Sequence, residues 1–161
     1  MNKKIIIICG GGESSVFVFN ALSKTFKISK VIIEEKVSRK KFLIKRIKRL
    51  GLIRVLGQIL FQVFVPRILK FFSKKRMQEI KKSYDFDQKS IPQSLVDKVS
   101  SVNSIESINL INKVKPDLII VNGTRIISKE VIKKSKSIFI NTHAGITPKY
   151  RGVHGGYWSL V

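Results

Sequence analysis

Ile5-Ile6-Ile7-Ile8-Cys9-Gly10-Gly11-Gly12-Glu13-Ser14-Ser15 decides the fold of this 161-residue chain. Lys3–Cys9 reads as a strand buried on both faces, because a short β-branched run without polar alternation leaves no face for water. Gly10–Gly12 is a turn, and Glu13–Ser23 continues as a helix carrying Val16, Phe17, Phe19 and Leu22. Val31–Ile33 is a second strand, which closes a βαβ unit.

The same grammar returns further along. Ser104 is an N-cap, and the helix through Ile108, Leu110, Ile111 and Val114 must end before Pro116. Asp117–Val121 is another strand, Asn122–Arg125 a loop, Ser128–Lys134 a helix capped by Ser128, and Ser137–Ile140 a further buried strand. Val96–Val102 holds a short edge strand. This order of elements predicts an α/β fold, a Rossmann-like doubly wound parallel sheet.

Between the two halves lies a basic helical insertion at about 36–82, followed by a polar connector to residue 95. Phe42, Leu43, Ile44, Ile47 and Leu50 alternate there with cations, and Leu52–Val65 is more apolar. Pro66 is expected to break or kink the helix. The formal net charge of the chain is +22, and +15 of it falls on 36–82, where Glu79 is the one acid. Part of the Lys content is compositional, since 25 Ile and 24 Lys accompany only two Ala.

Several functional classes drop out. One cysteine, Cys9, excludes a disulfide framework and a Cys-based zinc site, and two histidines leave little for metal chemistry, so no metal is expected. Cys9 ends the Ile run, where a buried, inert thiol is expected. Ile5–Cys9 is too short for a signal peptide's apolar core, and Val55–Val65 is too short to span a bilayer. A cytoplasmic setting is the expectation.

The chemistry concentrates near the end, in Phe139-Ile140-Asn141-Thr142-His143-Ala144-Gly145-Ile146-Thr147-Pro148-Lys149-Tyr150-Arg151-Gly152. Asn141 and His143 sit at the carboxyl end of a strand, the edge where open α/β sheets hold ligands. Residues two apart in extended backbone share a side. An amide that donates to a developing oxyanion, beside an imidazole that handles protons, suits attack of an amine on an activated carbonyl. The same pair could equally pin a loop through backbone hydrogen bonds.

The stretch Ile140–Gly152 resembles the signature of the 10-formyltetrahydrofolate-dependent formyltransferases, in which a strand leads to Asn-x-His and a loop with Pro, an aromatic or basic pair and Gly. The resemblance covers residues 3–34 and 96–161 and leaves 36–95 unmatched. It implies that Asn141 binds the formyl oxygen as charge develops and that His143 assists it and the proton movements. It further implies that Val121, Asn122, Gly123, Thr124, Arg125 and Ile126 hold the folate, 10-formyltetrahydrofolate being the co-substrate. Gly10, Gly11, Gly12, Ser14 and Ser15 would border the acceptor, with Arg151 and His154 as further contacts.

That family completes its constellation with an Asp after the signature loop. Asp117 precedes the signature and does not map onto it. The chain stops at Tyr157-Trp158-Ser159-Leu160-Val161, which reads as the opening of an apolar helix. The expectation is therefore a fragment, a disrupted frame or one half of a split enzyme, with no turnover by the 161 residues alone.

The acceptor implied is a small, anionic amine, such as an amino-sugar, a nucleotide-linked sugar or a ribonucleotide amine. Two other readings stay open on the residues. One is a nucleotide-binding Rossmann-like protein, resting on Gly10–Gly12 with Glu34 or Glu35 reading a ribose. The other is a non-catalytic membrane-surface protein on a degraded enzyme fold. The basic segment 36–82 is read as a solvated helical pair, as a peripheral contact at the inner membrane face, or as an anionic-acceptor surface. No specific nucleic acid is expected, because no aromatic residues are interleaved in a nucleic-acid motif and charge alone attracts nonspecifically.

Overall fold

A computed structural model describes residues 3–35, 39–150 and 159–160. The chain divides into two compact units, one of residues 1–35 with 87–161 and one of residues 36–86.

The first unit is built on a parallel sheet of β1 (Ile5–Cys9), β2 (Ile28–Glu34), β3 (Val96–Val99), β4 (Leu118–Asn122) and β5 (Ile138–Asn141), in the order β3-β2-β1-β4-β5. The chain winds outward in one direction from β1 to β3 and in the other from β4 to β5. The switch between β1 and β4 is where such sheets open a crevice. All five β1 residues are buried, and they alternate between two cores. Ile6 and Ile8 join Ile32, Val99, Ile111, Ile119 and Val131 on one face. Ile5, Ile7 and Cys9 join Phe19, Ile28, Val31 and Ile120 on the other. A run apolar at every position is what a strand with helices on both sides requires.

Helix α1 (Glu13–Ser23) contributes Phe19 to the second core. The next two helices, α2 (Arg39–Leu50) and α3 (Leu52–Ser83), belong to the other unit. Helix α4 (Ile105–Val114) and helix α5 (Lys129–Ser135) cover the first core, with Ile108, Ile111 and Val131 pointing inward. The expected caps are present. Ser104 accepts from the N–H of Ser107, and Ser128 from that of Val131. The carboxyl of Glu130 in α5 is held below its ordinary range by the hydrogen bond and charge of Lys134, one turn on.

Two expectations change. β5 was expected to be buried, but Ile138, Ile140 and Asn141 are exposed and Phe139 is only half-buried. Among the described residues β5 pairs with β4 alone, so it is an outer strand with one covered face. Pro66 does not break its helix. The second unit holds α2 (Arg39–Leu50) and α3 (Leu52–Ser83), and α3 runs through Pro66 as one 32-residue helix. A single proline forfeits one backbone hydrogen bond, and the turns on either side keep theirs. The break falls instead at Gly51, whose φ of 81° only glycine adopts without strain.

Candidate functional site

The carboxyl ends of β1, β4 and β5 come together through backbone and side-chain hydrogen bonds that converge on Asn122. Its carbonyl accepts from the N–H of Gly10 at 3.2 Å. Its side-chain amide donates to the hydroxyls of Ser14 and Ser15, each at 3.3 Å, and its amide oxygen accepts from Thr142 Oγ1 at 2.7 Å. One buried side chain therefore ties the start of α1 to the end of β5. Gly10 is required where the turn meets the next loop, because a Cβ there would lie 2.3 Å from the carbonyl oxygen of Gly123.

Thr142 also fixes what flanks it. Its N–H and hydroxyl both bond to the carbonyl of Val121, so this residue faces β4. Asn141, Thr142 and His143 are all exposed at this end of β5. His143 Nε2 lies 2.8 Å from the carbonyl oxygen of Tyr150. A carbonyl only accepts, so Nε2 is the ring nitrogen that donates here. The turn is closed by a bond from the N–H of Tyr150 to the carbonyl of Ile146 at 2.8 Å. One ring nitrogen of His143 thus holds the loop.

The loop after β4 is held from below by Glu34, at the end of β2. This carboxylate is 7% exposed and forms an ion pair with Arg125 Nε. It also accepts from the backbone N–H groups of Val102 and Arg125, at 2.9 and 3.1 Å. Asn103 adds a second clamp, donating to the carbonyl of Ile126 at 2.9 Å and accepting from the N–H of Ser128 at 2.8 Å. Held this way, the loop presents Ile126 with 91% of its surface exposed. Glu34 is thus committed to the loop, which leaves Glu35 as the other acid named for the nucleotide-binding alternative. Glu34 as a loop clamp and Asn103 were missed in the sequence. Their partners are distant along the chain, and only the position of Glu34 at a strand end hinted at a role.

The residues expected to form the site are placed as follows. Asn141, His143, Gly123, Thr124, Arg125 and Ile126 share the carboxyl edge, while Val121 is core and Asn122 is buried structure. Gly11, Gly12 and Ser15 line a cavity of about 140 Å³ with Val16, Ile33 and Ile91. Ser15 is buried and Ser14 is exposed. Asp117 lies at the opposite, amino end of β4, where its carboxylate accepts from the N–H of Lys4 at 2.7 Å. Arg151 and His154, and the apolar helix expected from Tyr157, lie outside the described residues apart from a turn at Ser159 and Leu160.

The formyl transferase family matches residues 62–161, so the match includes residues 62–95, which the resemblance left aside, and does not extend to the expected 3–34. The methionyl-tRNA formyltransferase of Clostridium acetobutylicum is 40% identical over 60 residues, which are 37% of this chain and 19% of that protein. That of Finegoldia magna is 36% identical over 62 residues, 38% of this chain and 20% of the relative. The chain thus spans about a fifth of the length of these relatives. The phosphoribosylglycinamide formyltransferase from Streptococcus pneumoniae TIGR4 superposes with a TM-score of 0.51 at 15% identity, over 98% of this chain and 67% of that one, and so shares the fold. The chain belongs to the formyl transferase family.

Proposed function

We propose that this domain carries the transfer of a formyl group from 10-formyltetrahydrofolate to the amine of a small, anionic acceptor. The observation that carries the reading is the Asn141–His143 stretch fixed at the carboxyl end of β5, through Thr142 on Val121 and Asn122 and through His143 on Tyr150. The folate supplies the activated formyl group. Asn141 donates its amide N–H to the formyl oxygen as negative charge develops there during attack by the amine. His143, oriented through Nε2, takes the proton of the attacking amine at Nδ1 as the new carbon–nitrogen bond forms, and returns it to N10 of the folate as the old formyl–N10 bond breaks and tetrahydrofolate leaves. The loop fits a flat heterocycle, since Glu34 and Asn103 hold it open with exposed apolar Ile126 at its tip. Gly123, Thr124 and Arg125 complete that wall.

The acceptor side rests on the small cavity at Gly11, Gly12 and Ser15, which suits a compact molecule better than a nucleic acid. The residues from Asn141 onward include no carboxylate, Asp117 sits at the far end of the sheet and Glu34 is engaged. The 161-residue chain by itself is therefore expected to show no folate-dependent formylation. The test is the kinetics of Asn141→Ala and His143→Ala in a chain extended through the family's remaining signature. Each is expected to lower kcat/KM by about 10²- to 10³-fold. Unchanged turnover in Asn141→Ala overturns the reading.

A further inference from the structure

Helix α3 exposes a stripe that no described residue of its own unit covers. Ile53, Leu60, Phe64 and Phe71 recur at intervals of seven, four and seven residues, which places them on one line of a 3.6-residue helix. All four are exposed, and Ile68 and Phe72 widen the line on one side. The opposite face belongs to α2. Gln58 accepts from Arg46 Nε of α2 at 2.7 Å, and the neighbours of Gln58 on that face are buried Val55 and half-buried Ile59. The helix is thus apolar on two faces for two reasons, and α2 accounts for only one of them.

The sequence expectation that Val55–Val65 is too short to span a bilayer also changes, because the whole of α3 is by length and composition long and apolar enough to cross one. The fold argues against a crossing. The chain leaves the sheet after β2 and returns at β3, and those strands pair side by side, Val31 beside Val96. An insertion between paired strands must come back to the side it left. α3 would cross once, and the one helix available for a return, α2, has 12 residues, seven of them Lys or Arg. Such a helix is too short and too charged to cross.

We propose that α3 lies flat on an anionic phospholipid surface, with Ile53, Leu60, Phe64 and Phe71 in the acyl boundary and the cations of 36–82 among the headgroups. Charge selects this occupant. A net +15 on the segment repels a second copy of the chain and attracts anionic lipid. Nucleic acid would satisfy the cations but leave an aliphatic and phenyl stripe wet, whereas an interface satisfies both.

The test is co-sedimentation of the full chain with vesicles of phosphatidylcholine alone and of phosphatidylcholine mixed with phosphatidylglycerol, at low and raised salt. Binding is expected to be at least about tenfold stronger on the anionic vesicles, to weaken with salt and to be released by alkaline extraction. Phe64→Glu with Phe71→Glu is expected to reduce it about tenfold more, with helix content unchanged by circular dichroism. No binding to anionic vesicles at low salt overturns the proposal, whatever the variant does. Equal binding to both vesicles with resistance to alkaline extraction also overturns it, in favour of a span. Full binding by a folded double variant would leave charge alone and reject the stripe. None of these outcomes bears on the formyl-transfer reading, which stands or falls on Asn141 and His143.

Discussion

The two units of this chain use apolar residues in opposite ways. In the sheet unit the Ile run of β1 is fully buried, and alternate residues feed two separate cores. In the helical unit Val55 is the one fully buried hydrophobic side chain among the described residues, while Ile53, Phe64, Phe71 and Phe72 are exposed. Burial of apolar surface is the main favourable term in folding. Apolar side chains therefore stabilise the sheet unit directly, whereas the exposed ones of α3 add little to the fold of the described residues and are the ones the membrane proposal uses.

The contrast breaks first if core and surface phenylalanines behave alike. Phe19 in α1 is 6% exposed, and Phe19→Ala should cost about 3–5 kcal/mol through lost transfer energy and the cavity left behind. A lower urea midpoint at constant m-value would measure it. Next in size is Gly10→Ala. Its new methyl meets the Gly123 carbonyl, backbone against backbone, so neither side can swing away. The expected cost is about 3 kcal/mol, near the upper end for overpacking. A midpoint shift under about 0.5 kcal/mol would show that the turn and the loop can part cheaply.

A smaller effect is expected at Glu34. Glu34→Gln keeps the shape but removes the charge facing Arg125, and it cannot serve three donors as a carboxylate does. Arg125 is partly exposed, so water takes over some of the loss, and about 1–2 kcal/mol is expected. Faster amide exchange confined to residues 122–127 would place that loss in the loop. Uniform change across the sheet would instead make Glu34 an ordinary core support.

How far each region could be read in advance follows from the range of its interactions. The strand of Ile5–Cys9, the Ser104 and Ser128 caps and the position of Asn141 and His143 rest on neighbours a few residues away, and the sequence displays them. The clamp from Glu34 to Arg125 joins residues 91 apart, and Asn122 reaches Ser15 across 107. No local pattern encodes such pairs; they exist because the sheet order brings the ends of β2, β1 and β4 side by side. The exposure of β5 was hidden for the same reason, since its apolar sequence says nothing about how many strands flank it. In the helical unit, Pro66 drew attention as the breaker, yet the turn is made by Gly51, where the backbone conformation rather than the side chain decides.

The smallest stability effect is the most discriminating one. Phe72 is 78% exposed on α3, so Phe72→Ala removes almost no buried area and should move the urea midpoint by less than about 0.5 kcal/mol. Its edge-on contact with Phe71, ring centroids 5.5 Å apart, is the one aromatic pairing it forms among the described residues, and at the surface that contact adds little. If Phe72→Ala instead cost as much as Phe19→Ala, the helix would have to be buried in the folded chain, and its apolar stripe would be a core that packs rather than a surface that docks. A near-zero cost combined with weaker vesicle binding would have the opposite meaning. It would show one residue type, in one chain, stabilising the fold in α1 and holding lipid in α3.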